Sequence, residues 1–283
     1  MSGRTTQIIR SVVLHALLAA FTLVTLAPLL WVLKLAFNGS RKGLSSLSFI
    51  PEEPTFRNFT AVIGHTENGV WVFGHHLWNS VVISAATTVL GIALATTAAY
   101  AFSRFRFAGR QAGLLSFLVS QMFPGVLMLI PLYIIMQKLG LLNAKLGLIL
   151  VYSTTAIPFC VWMLKGYFDT IPKDLEESAR IDGASRFTIF WRIMLPLAMP
   201  AIAVTGLFSF MTAWNEFLLA YTFMNDPLAY TLPVEIQQYV GDKKVEWELF
   251  AASSVIVSIP VMALFYALQR FLVGGLTAGA VKG

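Results

Sequence analysis

One cysteine in 283 residues, Cys160, excludes an intramolecular disulfide and any thiolate metal cluster; inside an apolar run it reads as a small buried side chain. Charge is also sparse, at 12% Asp, Glu, Lys and Arg against 57% hydrophobic residues and a mean hydropathy of +0.73. So little charge cannot clothe the water-facing surface of a globular domain. Of the four histidines, His75 and His76 adjoin an apolar run without a Cys or third His nearby, so they read as interface residues and no metal site is expected. His15 and His65 have no evident catalytic partner. No G-x-x-x-x-G-K-[ST] loop is present to cradle phosphates, so the chain cannot hydrolyse ATP alone. No nucleophile, base and orienting group assemble from the apolar runs, so no catalytic residues are expected. Solenoid repeats and low-complexity tracts are missing too.

What is present is a series of six apolar runs, at 11–37, 77–102, 112–136, 146–167, 197–223 and 249–273. A bilayer core needs about 20 apolar residues per helical crossing, so each run is long enough. The expectation is an all-α integral membrane protein with six transmembrane helices in one domain over 1–283. The first run is too long for the ~7–15-residue core of a signal peptide, and no small-x-small cleavage pattern follows it. Of the 20 Lys and Arg, twelve fall on the side holding both termini, seven on the other, and Lys34 stands at a helix end. That bias puts both termini in the cytoplasm. The loops 38–76 and 224–248 are then outside, with Trp71, Trp78 and Trp247 near the ends of the crossings. The net charge of +6 reads as a topology signal in contact with lipid, not as a nucleic-acid surface.

Within the second run, Ser84, Thr88, Gly91 and Ala95 make one small-residue helix face where another backbone can approach closely. Gln121, Pro124, Gly125 and Pro131 interrupt the third, either as a packing kink or because a translocation path satisfies the freed carbonyls; Pro158 and Pro260 invite the same question. In the fifth, Thr212-Ala-Trp-Asn-Glu-Phe217 brings in Glu216, the only acidic residue deep in any run. A carboxylate there costs about 2–3 kcal/mol if charged, so it either works or is hydrogen-bonded as glue between helices. Gln121, Thr212, Asn215 and Glu216 are the candidate lining of the path.

Between the fourth and fifth runs, 174–194 reads as two short helices joined at Gly183. Pro172 and Asp174 supply a start, Glu176 and Glu177 suit the first turn, Ser185 caps the second helix and Pro196 forces an exit. The first helix presents Leu175, Ser178, Ala179 and Ile181 beside a charged rim, as a docking peg would.

Glu177-Ser-Ala179, Gly183 and Ile193-x-Leu195-Pro196 keep the spacing of the cytoplasmic EAA loop, and the chain resembles the permeases of carbohydrate-type ABC importers. Ser178 stands where that family usually has Ala. Gln121-Met-Phe-Pro124, the Trp162–Phe168 stretch, Trp214-Asn-Glu-Phe217 and the tail from Gly275 to Gly283 are similar to the smaller permeases of maltose and maltodextrin importers. The resemblance implies a multi-pass subunit of the bacterial inner membrane with a two-helix cytoplasmic coupling loop between spans four and five. It implies a second permease, an ATP-binding cassette ATPase dimer and a periplasmic sugar-binding protein as partners. ATP and Mg belong to the ATPase, and no cofactor is held by this chain. Glu177, Ser178, Ala179, Gly183, Ile193, Leu195 and Pro196 would form the ATPase-docking segment. The tail 274–283, with Thr277, Gly279 and Lys282, would reach between the ATPase subunits. Gln237, Gln238, Tyr239, Asp242 and Trp247 would meet the binding protein from the periplasmic loop. Most sugar contacts in that family come from the larger partner permease. An ion-coupled secondary transporter relying on Glu216 is the alternative; it leaves the elbow unexplained and finds no second intramembrane carboxylate.

Overall fold

The computed structural model describes residues 2–40, 48–241 and 244–280, helical along most of that length. α1 spans Ser2–Ala36 and leaves its apolar side chains exposed from Ile8 to Leu33, as a helix does when hydrocarbon is its solvent. After α2 (Arg57–Ile63), β1 (Thr66–Glu67) and β2 (Val70–Trp71) pair as an antiparallel hairpin. Asn68 and Gly69 at its tip have φ of 51° and 79°, the left-handed pair of a type I′ turn. α3 runs Val72–Arg104.

α4 (Arg110–Met122) and α5 (Gly125–Lys138) meet at 102°. Pro124 explains the angle, because its ring pushes Phe123 out of the helical region, to ψ 126°. α6 spans Lys145–Thr170. α7 (Asp174–Ile181), α8 (Arg186–Ile189), a π-helical turn over Phe190–Met194 and α9 (Leu195–Leu197) follow. α10 (Met199–Trp214) departs from that arm at 74°. Then come α11 (Leu218–Phe223), a 3-10 turn at Pro227–Ala229, α12 (Leu232–Gln238), the hairpin of β3 (Val240–Gly241) and β4 (Lys244–Val245), and α13 (Trp247–Ala280).

Among the described residues, four helices are long and apolar enough to cross a bilayer, and six if each bent pair is one span. Three readings need correction. The fold is not wholly α, since two short hairpins punctuate it. The fifth apolar run is not one helix: it begins at Met199 and breaks at Asn215–Phe217 before α11. Pro196 does not end the elbow either, because the helix passes through it to Leu197. The π turn just before Pro196 relaxes the backbone where a proline ring would otherwise meet the carbonyl one turn back.

The chain divides into two units, Met1–Phe73 with Ile236–Ile259, and Gly74–Glu235 with Pro260–Gly283. In the first, Asn58 Nδ2 donates to the carbonyls of Ala36 and Asn38, both at 2.9 Å, tying the end of α1 to α2. Phe37 packs against Phe56 and Phe59 beside it. The second unit holds two apolar clusters. One gathers Tyr100, Leu164, Phe168, Ala179, Ile189, Met194 and Ala198 around the elbow; the other gathers Ile83, Leu148, Tyr152, Phe223 and Met224.

Candidate functional site

The elbow is built on glycine and a cap. Gly183 holds φ 84° between α7 and α8, a backbone that glycine adopts without the Cβ penalty. Ser185 then caps α8, its Oγ accepting from Thr188 N at 3.2 Å. Glu177, Ser178 and Gly183 are exposed, Ile193 and Leu195 half-buried, and Pro196 exposed.

Ala179 departs from the expected peg. It is 8% exposed and packs into the cluster of Tyr100 and Phe168, so α7 turns this face toward its own bundle. Glu176, one turn away, points the same way. Arg104 Nε donates to Glu176 Oε1, Tyr100 Oη donates to Oε2 at 2.9 Å, and Arg104 Nη2 donates to the Ile171 carbonyl at 2.8 Å. Alongside, Ser103 Oγ donates to Asp169 Oδ1 at 2.6 Å, and Lys165 pairs with Asp169 Oδ2 at 2.5 Å. The end of α3 is thereby bolted to α7 and to the end of α6. The surface left to a partner is apolar: Ile181 at 87%, Phe187 at 74% and Trp191 at 58% exposure, the last two stacked 6.2 Å apart.

Two of the four candidate path residues come together. Gln121 and Thr212 line a hollow of about 380 Å³ with Thr155, Phe159, Phe208 and Ser209, between α4, α6 and α10. Gln121 Nε2 donates to the Thr155 carbonyl at 3.0 Å. Asn215 and Glu216 stand outside this lining. Glu216 accepts from Tyr152 Oη at 2.7 Å, from Leu219 N at 2.9 Å and from Ala220 N at 3.1 Å. Those last two donors belong to the first turn of α11, so the carboxylate restarts the helix after the break.

His76 is also corrected, from an interface residue to a buried one at 1% exposure; His75 is exposed. His76 Nε2 lies 2.7 Å from the Pro227 carbonyl, which only accepts, so Nε2 donates and Nδ1 is the nitrogen 3.3 Å from Glu235 Oε2. Asn79 Nδ2 donates to the carbonyls of Leu228 and Tyr230, and Ser80 Oγ accepts from Leu232 N. These bonds clamp the 227–235 segment to α3.

Of the expected binding-protein contacts, Gln237 and Gln238 are exposed, Tyr239 is half-buried with its carbonyl accepting from Glu246 N at 2.8 Å, and Trp247 is exposed. Asp242 lies outside the described residues. Thr277 and Gly279 stand on the last turns of α13, and Lys282 lies outside the described residues. No group of three or more His, Cys, Asp or Glu placed to hold a metal occurs among the described residues.

The family of binding-protein-dependent transport system inner membrane components matches the chain over residues 88–277, a stretch that contains α4 to α12, the elbow and the hollow. The chain belongs to this family. As such a component it is a membrane subunit of a transport system, not an enzyme in its own right. It is 41% identical over 276 residues to the galactooligosaccharides transport system permease protein GanQ of Bacillus subtilis, covering 97% of this chain and 96% of that protein. It is 38% identical over 288 residues to the maltose/maltodextrin transport system permease protein MalG of Vibrio vulnificus, covering 95% of each. Its fold is that of a chain in the crystal structure of a bacterial ABC transporter involved in the import of the acidic polysaccharide alginate, with TM-score 0.79 at 22% identity over 94% of this chain and 97% of that one.

Sequence reasoning overlooked the bolt of Arg104 and Glu176 and the exposed trio Ile181, Phe187 and Trp191. The trio had a signal, since large apolar residues in a polar connecting segment ask for a cover. The bolt had only the charge of two residues 72 apart.

Proposed function

We propose that this inner membrane component is one permease subunit of an ATP-driven importer of maltodextrin or a related oligosaccharide, forming half of the translocation path beside a second permease. Both termini and the elbow face the cytoplasm, 38–76 and 224–248 face the periplasm, and a separate ATPase dimer supplies ATP hydrolysis with Mg. Nucleotide-driven closure of that dimer pulls on the elbow through Glu177, Ser178, Ile181, Gly183, Phe187 and Trp191. The bundle then rocks between inward and outward access. A sugar-loaded binding protein touching Gln237, Gln238, Tyr239, Asp242 and Trp247 biases the outward state from the other side, which links the two sites energetically. The tail with Thr277, Gly279 and Lys282 reaches the ATPase interface.

What carries this reading is the elbow: a glycine-hinged, capped helix pair whose exposed face is apolar and whose other face is bolted into the bundle by buried charge. A rigid lever with a sticky tip suits a subunit that receives work from another protein. The secondary-transport alternative loses its main residue, because the carboxylate of Glu216 is engaged by Tyr152 and two backbone donors. Reconstitution of the purified complex in proteoliposomes tests the proposal. Maltotriose-loaded binding protein should stimulate ATP hydrolysis and drive uptake, and uptake by this polypeptide alone would refute it.

A further inference from the structure

Building on the importer reading, we propose that this chain itself supplies a glycan-contact surface, the hollow between α4, α6 and α10, and that the surface selects neutral over acidic sugars. This departs from the expectation that the partner permease carries most of the sugar contacts. The hollow, about 380 Å³, falls within the ~300–1,000 Å³ usual for small-molecule sites and holds one or two sugar rings at most. It sits in the middle of apolar helices, yet Gln121, Thr155 and Thr212 are exposed there. Polar groups at that depth belong on a watered path and not against lipid tails.

The hydrogen-bond inventory says what would fit. Thr155 Oγ1 already donates to the Tyr152 carbonyl at 2.8 Å, and Thr212 Oγ1 donates to the Phe208 carbonyl at 2.9 Å. With one proton each, both hydroxyls have only lone pairs left to offer. One N–H of Gln121 is spent on the Thr155 carbonyl, which fixes the amide and leaves its carbonyl oxygen as a further acceptor. An acceptor-rich wall calls for a donor-rich ligand, and a polyol supplies one hydroxyl donor per carbon. Phe159 and Phe208, edge to face at 5.8 Å and both more than 40% exposed, offer ring surface for the C–H face of a pyranose. No Lys, Arg or His stands among the described residues lining the hollow, so a carboxylated sugar would lose its hydration there without a counter-charge.

Neither threonine hydroxyl bonds another helix, so replacing them leaves the contacts between helices intact. In proteoliposomes with saturating binding protein, Thr155→Val and Thr212→Val should each raise the KM for maltotriose uptake roughly 3–10-fold, the range for one lost hydrogen bond, with Vmax within about twofold. Unchanged KM in both variants, or a fall in Vmax alone, overturns the proposal. Independently, Thr212→Cys in a Cys160→Ala background should react with a soluble thiol reagent in the assembled transporter. Maltotriose should slow that labelling and trigalacturonate should not; equal protection by both, or by neither, overturns it. If the wild-type complex imports no neutral oligosaccharide at all, the importer reading fails first.

Discussion

Arg104 Nε donates to the Glu176 carboxylate where both side chains are almost wholly buried, 4% and 3% exposed. A pair this deep is worth little against an apolar substitute, but losing one partner strands the other's charge at a cost of about 3–5 kcal/mol. Arg104→Ala and Glu176→Leu should therefore lower the melting temperature of the purified complex and cut binding-protein-stimulated ATP hydrolysis tenfold or more. Arg104→Lys should fall between, since an ammonium reaches one acceptor but does not span Glu176 and the Ile171 carbonyl together. Wild-type stimulation in Arg104→Ala would remove the bolt from the coupling path.

At Gly183 an added Cβ would meet nothing within 4 Å, so a substitution there suffers only from its backbone angle. Gly183→Asn should couple normally, because asparagine tolerates the left-handed region; Gly183→Val should uncouple transport from hydrolysis while membrane insertion is unchanged. Equal behaviour of the two variants in stimulated ATPase assays would place the hinge elsewhere.

Ile181, Phe187 and Trp191 protrude without supporting the fold, so their removal should weaken assembly and not stability. Burying one such side chain contributes about 1.5–3 kcal/mol, and Phe187→Ala should weaken ATPase capture at least tenfold in detergent titrations. The thermal unfolding of the isolated subunit should move by less than about 2 °C.

Glu216 restarts a helix, so Glu216→Gln should keep transport within a few-fold and leave its pH dependence unchanged. Glu216→Ala should destabilise by about 1–2 kcal/mol, as a lost cap does. Uptake that collapses with the proton gradient in wild type and becomes insensitive to it in Glu216→Gln would revive the relay.

Local features were legible and long-range ones were not. Pro124, Gly183 and Ser185 act through their own backbone neighbourhood, and the break, the left-handed turn and the cap they announce are all present. Asn68-Gly69 was just as local a signal for a hairpin and was passed over in a loop read as featureless. Ala179 could not be oriented from eight residues of α7, because a small residue suits both a docking tip and a packed core. The partners of Glu176 and Glu216, 72 and 64 residues distant, are a matter of tertiary fold that no spacing encodes. His76 paired with Glu235 belongs to the same class. The π turn is invisible to any periodicity of about 3.6, since it lasts a single turn.

That turn, Phe190–Met194, sets the phase of everything after it. A π turn carries one residue more than the α-helical turn it interrupts, so removing a single residue from it would restore α geometry without shortening the chain's reach by more than ~1.5 Å. Every side chain downstream would then rotate about 100° around the arm relative to the elbow tip. The angular offset between the surface that meets the motor and the helix that crosses the membrane is thus stored in one surplus amino acid.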